Sequence, residues 1–217
     1  MGLKRLKVAP VPAKADVEKQ KIFLKEELEP RIEQAKKGER HLLFVDAAHF
    51  VLAAFLGFLW CFTRVIIKSP SGRQRFNVLG AFDAMTQELV TVTNNTYINA
   101  LSMIDLMEKL ITKYTKKLPI TLVLDNAKYQ KCQIVMDFAK ENNIELLYLP
   151  SYSPNLNLIE RLWKFTKKKC LYCKYYENFS FFKEAISNCL NKVATDYKSE
   201  ICSLMTLNFH IEEGVKL

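Results

Sequence analysis

The sequence predicts an α/β domain in which helices flank a mixed central sheet. Strand-like apolar runs come first along the chain, and helical and strand-like patterns alternate after them. The run Ile120–Leu124 (ITLVL) has the near-continuous apolar character of a fully buried parallel strand. Hydrophobic residues make up 49% of the 217 positions, which is enough to build a core and excludes disorder as the general state.

The first half of the chain supplies most of the predicted strands. Residues 1–40 carry 11 basic and 7 acidic residues, with helical composition over Asp16–Lys37, and are interpreted as a charged arm or linker. The composition then changes abruptly to apolar. The predicted strands are Leu42–Val45, Arg64–Lys68, Phe76–Phe82 and Leu89–Thr93.

The second half alternates helices with strands. Ser153 suits the N-cap, and Pro154 the first position, of a helix that begins near Asn155. In chain order we predict a helix over Ile98–Tyr114, a strand over Ile120–Leu124, a helix over Tyr129–Glu141, a strand over Ile144–Leu149, and helices over Asn155–Cys170 and Phe181–Val193. The domain is placed at residues 41–200, and residues 201–217 are interpreted as a C-terminal tail.

Charge indicates the kind of partner. The chain has 32 Lys and Arg against 23 Asp and Glu, a formal net charge of +9 and a pI near 9.2. An excess of this size favours a polyanionic partner, with nucleic acid first and an anionic membrane second. The six cysteines form no regular framework and the N-terminus has no apolar signal sequence, so we expect a cytoplasmic protein with reduced thiols.

One apolar segment allows two interpretations. Ala47–Thr63 contains no Lys, Arg, Asp or Glu over 17 residues, the short limit of a membrane span. It also contains His49 and follows directly on a strand-like run. We interpret the segment as buried core, with a membrane span as the alternative.

Three acids stand out by their position. Asp46 follows LLFV, Asp125 follows ITLVL, and Glu160 lies in the first turns of a predicted helix. Ligand sites in α/β sheets lie beyond the carboxyl ends of strands, so these acids are expected to converge there. Three converging carboxylates repel one another unless a cation neutralises them, and hard oxygen ligands favour Mg²⁺ or Mn²⁺.

The helix that carries Glu160 also has a basic face. From Arg161 to Tyr176 there are six basic residues and no acid. A metal-binding carboxylate beside a basic ridge suits a phosphodiester substrate. For Glu160 taken alone, an ordinary amphipathic helix with a solvated face is the favoured interpretation.

Two segments together resemble the DDE transposases of the mariner superfamily, in its bacterial insertion-sequence branch. They are Leu122–Asn126 (LVLDN) and Leu149–Trp163 (LPSYSPNLNLIERLW), which leave 34 residues between Asp125 and Glu160. This is the hallmark spacing of the family between its second Asp and its Glu. Asp46, in FVDAAHF, matches the first acid of the family.

The resemblance extends over about residues 40–195 and includes Ser71–Ala81 (SGRQRFNVLGA). Asn155 and Leu158 stand where the commoner family pattern has Asp and Pro, and Gln130 stands where many members have His. Members usually begin with helix-turn-helix DNA-binding domains, for which the residues before Asp46 leave no room. We therefore expect a catalytic domain whose recognition domain is lost or encoded in another reading frame.

The resemblance implies a ribonuclease-H-like fold and a DNA transposase that cleaves transposon ends and transfers them into target DNA. It assigns two Mg²⁺ ions, replaceable by Mn²⁺, to Asp46, Asp125 and Glu160. Asn126 beside Asp125 is expected to support the site; His49 either approaches the site or is a core or capping histidine. The expected phosphate contacts are Arg73, Arg75, Arg161, Lys164, Lys167 and Lys168.

The same resemblance implies the partners. They are transposon-end and target DNA, a second copy of the chain in a synaptic complex, and a separately encoded helix-turn-helix protein or frame, all near the nucleoid. Two other functions stay open: an idle fragment that only binds DNA or inhibits transposition, and a stand-alone ribonuclease-H-like nuclease or resolvase. Cys170 and Cys173 lack two further ligands at zinc-site spacing.

Overall fold

A five-stranded mixed sheet forms the centre of the computed structural model, which describes residues 14–53, 60–64, 66, 74–114 and 118–211. Its strands are β1 (His41–Val51), β2 (Arg75–Asp83), β3 (Leu89–Asn94), β4 (Ile120–Leu124) and β5 (Ile144–Tyr148). They are ordered β3-β2-β1-β4-β5. Because β1 pairs antiparallel with β2 and parallel with β4, the predicted mixed sheet is confirmed.

Seven α-helices surround the sheet within the described ranges. They are α1 (Val17–Phe23), α2 (Glu29–Lys36), α3 (Ala100–Lys113), α4 (Gln133–Glu141), α5 (Ile159–Cys170), α6 (Phe179–Asn191) and α7 (Lys198–Leu204). A π-helical turn joins α1 to α2, and 3₁₀ turns precede α4 and α5. The sequence pattern did not predict α7, which crosses the expected start of the tail at residue 201.

The predicted start of α5 is wrong. Pro154–Leu156 forms a separate 3₁₀ turn, and the α-helix begins at Ile159. The Ser153 hydroxyl donates to the carbonyl of Ser151 at 3.4 Å and caps no helix. The segment Pro154–Leu158 is therefore a loop that leads into the helix.

Side chains alternate across the sheet and divide the core into two layers. On one face, Phe44 and Phe50 of β1 pack in the cluster that includes residues of α2, α5, α6 and α7. On the other face, Leu43 and Val45 pack in the cluster of α3 and α4. Even-numbered residues of β1 therefore face α5, and odd-numbered residues face α3 and α4.

The N-terminal arm is docked on the domain. Arg31 of α2 donates to Glu145 of β5, and Arg40 pairs with the same carboxylate at 2.5 Å. Burial alone would raise the pKa of Glu145, but hydrogen bonds from Arg31, Thr121 and Arg40 outweigh it and lower the pKa to about 2. Leu28, with no exposed surface, anchors the arm in the core.

The apolar stretch 47–63 is strand at its start and exposed near its end. β1 continues to Val51, whereas Trp60 and Phe62 are fully exposed, so interpreting the whole stretch as buried core is wrong. Within the described ranges, no helix is long and apolar enough to cross a membrane. Most of the strand predicted at 64–68 falls outside the described residues; Arg64 and Ile66, which are described, lie in no strand.

Candidate active site

The pairing of β1 with β4 brings the first two acids together. These parallel strands are aligned so that Phe44 lies opposite Val123. Extending this register by two residues places Asp46 opposite Asp125, just beyond the carboxyl end of β4. Asp46 shares the face of β1 that packs against α5, because side chains two residues apart point the same way.

The loop before α5 brings Glu160 to the same place. Glu160 lies in the first turn of α5 and is half-buried. Asn157, which precedes this turn, donates from Nδ2 to the carbonyl of Val45 at 3.2 Å. This hydrogen bond ties the start of α5 to the strand residue directly before Asp46.

The three acids line a single cavity of about 480 Å³. Asp46, Asp125 and Glu160 form part of its wall, together with the loop from Leu149 to Pro154 and with Asn157. The convergence predicted from the sequence therefore occurs in the described structure.

The surroundings of the cavity perturb the titration of Asp46. Burial raises its pKa to about 7, and the charges of Glu160 and Asp125 contribute to the rise. Hydrogen bonds from the backbone of Ala47 and from the indole of Trp163 oppose it without cancelling it. A cation among the three carboxylates would relieve both the burial cost and the mutual repulsion.

The donor set fits a hard divalent cation. All three acids supply carboxylate oxygens, which Mg²⁺ and Mn²⁺ prefer over sulfur or imidazole ligands. Within the described part of the chain, no three His, Cys, Asp or Glu side chains are already close enough together to hold one ion. Metal binding would therefore have to draw these carboxylates closer together across the cavity.

The predicted phosphate contacts fall into three groups. Arg75, Lys164 and Lys168 are exposed and Lys167 is half-buried, and none of them forms an ion pair among the described residues. Arg73 lies outside the described residues. Arg161 is already bound to the C-terminal segment.

Arg161 donates to three main-chain carbonyls of the C-terminal segment. They belong to Leu204, Thr206 and Asn208, at 3.2, 2.7 and 2.8 Å. Burial lowers the pKa of the guanidinium. The contacts hold the chain after α7 against α5, so this side chain has a structural partner that its place in a basic run did not indicate.

The two supporting residues lie in different places. Asn126 lines the cavity and donates from Nδ2 to the carbonyl of Leu149 at 2.5 Å, which holds the loop after β5. His49 lies on the face of β1 opposite to Asp46, and its Nδ1 is 2.7 Å from Oδ1 of Asn77. The structure does not bring His49 to the carboxylates.

Sequence reasoning missed two residues at the site. Trp163 is 2% exposed and donates from Nε1 to Oδ2 of Asp46 at 3.0 Å. Asn157 has its Nδ2 bond to Val45, while its Oδ1 is buried without a partner among the described residues. The only signal for either was its nearness to Glu160 in the chain.

Comparisons with known proteins agree with this geometry. The family model described as DDE superfamily endonuclease matches residues 41–183. A relative in Shigella sonnei, the uncharacterized 39 kDa protein of insertion element IS630, is 31% identical over 99 residues, which cover 45% of this chain. The match covers 29% of that relative, so the chain corresponds to less than a third of its length.

Solved structures share the fold at low identity. The Mos1 transposase paired-end complex with left transposon end matches with a TM-score of 0.64 and 14% identity, over 97% of this chain and 69% of that chain. The catalytic domain of Mos1 mariner transposase matches with a TM-score of 0.56 and 10% identity, over 91% of this chain and 98% of that chain. The predicted ribonuclease-H-like fold is thereby confirmed.

The family match includes the whole sheet and reaches past α5, so it contains all three acids of the cavity. The resemblance seen in the sequence is confirmed, and the chain belongs to the DDE superfamily endonucleases.

Proposed function

We propose that the chain is the catalytic subunit of a DNA transposase, which cleaves transposon ends and joins them to target DNA. The observation that carries the proposal is the convergence of Asp46, Asp125 and Glu160 on one cavity in a member of this endonuclease family. The DNA ligands named for the Mos1 structures support DNA as the substrate.

The three carboxylates would hold two Mg²⁺ ions, which Mn²⁺ can replace. When bound, such ions activate the attacking hydroxyl and stabilise the leaving oxygen of the phosphodiester. The carboxylates must be ionised to bind them, and burial makes Asp46 costly to ionise. Asn126 supports the site by holding the loop that forms part of the cavity wall.

The DNA backbone would follow the exposed side of α5. Lys164, Lys167 and Lys168 follow Glu160 along this helix without ion pairs among the described residues. Arg75 offers a further exposed charge at the start of β2. Arg161 is left out of this contact set because its donors are bound to the C-terminal carbonyls.

The partners belong to the same proposal. Pairing two transposon ends requires two active sites, so a second copy of the chain is expected in the synaptic complex. Recognition of the ends would come from a helix-turn-helix domain, encoded with this chain or in an adjoining frame. We place the assembly with the DNA of the cytoplasm.

The test is a cleavage assay on duplex DNA that carries the inverted repeats flanking the coding region, with Mg²⁺. The chain is assayed alone and with the product of any adjoining helix-turn-helix frame. We expect nicking and strand transfer by the wild type, and cleavage reduced to background in Asp125→Asn, with DNA binding and melting temperature retained. Asp105→Asn is the matched control, because Asp105 is an exposed acid on α3 away from the cavity.

Two results would contradict the proposal. Full cleavage by Asp125→Asn would remove the carboxylate site from the reaction. DNA binding by the wild type, with no cleavage under any metal or partner condition, would favour the idle or inhibitory fragment instead.

A further inference from the structure

We propose that Trp163 is a positioning residue for Asp46, which orients this carboxylate for metal binding through a hydrogen bond from the indole. The inference deepens the proposed function and rests on it, since it assigns a role to a residue that serves the same site. It goes beyond the packing role that a buried tryptophan has in any core.

The contact itself is direct. Nε1 of Trp163 donates to Oδ2 of Asp46 at 3.0 Å, and the indole is 2% exposed. Trp163 lies three residues after Glu160, so one helix carries both an acid of the site and the group that holds a second acid. The bond joins positions 117 residues apart in the chain.

Gly80 provides the space that the indole occupies. In the pairing of β1 with β2, Gly80 lies directly opposite Asp46. A Cβ on Gly80 would come within 2.8 Å of Cη2 of Trp163 and 3.1 Å of Cδ1 of Ile159. Any side chain at this position would therefore displace the ring from its place beside Asp46.

The side chain of Phe50 also packs against the ring. Phe50 meets the Trp163 ring edge-on, with centroids 6.3 Å apart and an interplanar angle of 81°. This arrangement is favourable for aromatic pairs. The indole thus has a fixed position, and a fixed donor can restrict the orientation of the carboxylate it contacts.

The N–H group can be tested separately from the ring. A phenylalanine would fill most of the same space without donating a hydrogen bond, so a purely structural role would survive that change. Partners that orient metal ligands typically contribute about 10- to 100-fold to metal affinity or activity. A positioning role therefore predicts a loss of this size in metal binding.

The experiment measures Mn²⁺ binding to the DNA-free chain by calorimetry, and the Mg²⁺ dependence of DNA cleavage. In Trp163→Phe we expect the Kd for Mn²⁺ and the half-saturating Mg²⁺ concentration to rise about 10- to 100-fold. The KM for DNA should stay near the wild-type value, because the lysines of α5 are untouched. Gly80→Ala retains the indole but displaces it, and should raise the Kd for Mn²⁺ as well.

Phe165→Leu is the matched control for lost packing. Phe165 is also an aromatic core residue of α5, but its ring meets Tyr197, and it does not line the cavity. It should lower the melting temperature while leaving the Kd for Mn²⁺ unchanged. If Gly80→Ala does not fold, the comparison of Trp163→Phe with Phe165→Leu still decides the question.

The failures of the two proposals differ. If Trp163→Phe binds Mn²⁺ like the wild type and only melts earlier, as Phe165→Leu does, the positioning role is overturned and the proposed function stands. A second outcome is that the wild type binds Mn²⁺, that Asp125→Asn abolishes this binding, and that the wild type cleaves no DNA. The proposed function then fails, while the effect of Trp163→Phe on the Kd for Mn²⁺ still decides the positioning role. A wild type that binds no Mn²⁺ overturns both.

Discussion

Replacing Asp46 with asparagine should make the metal-free protein more stable at neutral and alkaline pH. In the unfolded chain Asp46 titrates at its ordinary value, 3.8, whereas in the native state burial raises its pKa to about 7. The native state therefore holds a proton that the unfolded state releases between these values. As pH rises from about 4 to about 7, the wild type loses stability, and the loss is complete above the native pKa.

The size of the effect follows from the two pKa values. Each pKa unit is worth about 1.4 kcal/mol, so the rise from 3.8 to about 7 corresponds to about 4 kcal/mol. The amide of the variant side chain is neutral at every pH, and its oxygen can still accept from the Trp163 indole. We therefore expect Asp46→Asn to match the wild type near pH 4 and to exceed its unfolding free energy by up to about 4 kcal/mol above pH 7.

The measurement is denaturant unfolding in EDTA at unit steps from pH 4 to pH 8, for the wild type, Asp46→Asn and Asp105→Asn. Other titrating groups are common to all three proteins and cancel in the differences. The difference for the exposed Asp105 should stay flat. A gap between Asp46→Asn and the wild type that does not grow with pH would refute the reasoning. Added Mn²⁺ should narrow the gap, because only the wild type gains stability by binding the ion at the full site.

Two further predictions concern charges away from the cavity. Lys168→Ala should weaken binding to DNA of any sequence and lower the slope of the logarithm of the DNA-binding constant against the logarithm of salt concentration by about one. Arg161→Ala should leave that slope unchanged but lower the free energy of unfolding by about 2 kcal/mol, because three carbonyls lose their donor. Equal slopes for the two variants would contradict this division. Glu145→Gln should lower the free energy of unfolding by about 1 to 2 kcal/mol at pH 7, because Arg31 and Arg40 hold the pKa of Glu145 at about 2. This figure allows for the partial exposure of the ion pairs. This loss of unfolding free energy should shrink as pH falls from about 5 toward 2, which unfolding curves over that range would show. A loss that stays constant with pH would mean that the arginines do not stabilise the ionised form of Glu145.

Local patterns predicted the parts of the fold that depend on local burial. Ile120–Leu124 is apolar except for Thr121 because both faces of the sheet are covered, and the strand has the predicted ends. The positions of Asp125 and Glu160 followed from the end of that strand and from the spacing shared with the family. These features need no knowledge of which residues meet across the sheet.

Features that depend on long-range contacts were not predictable in the same way. β1 runs to Val51, well past the apolar run that ends at Val45, because residues 47–51 pair with β2, which lies beyond position 74. Arg161 belongs to a basic run in the sequence, but three carbonyls, one from the last residue of α7 and two from the chain after it, determine its role. Trp163 is a core residue, yet its N–H points at an acid 117 residues earlier in the chain, which no local pattern indicates.

The order of side chains around α5 explains how a carboxylate and a basic surface can adjoin without neutralising each other. Successive residues turn by about 100°, so Trp163 lies on the buried side of Glu160, and Lys164 on its exposed side. Farther from the cavity, Lys167 follows Glu160 at about 10 Å along the axis, a distance that spans about three nucleotides of one DNA strand. An acid placed deeper in the core would be an uncompensated buried charge, and one placed farther out would face the lysines and not Asp46. The half-buried boundary where Glu160 lies is therefore the position on this helix from which one carboxylate can face the sheet acids while the cations beyond it stay unpaired, as the proposed DNA contact requires.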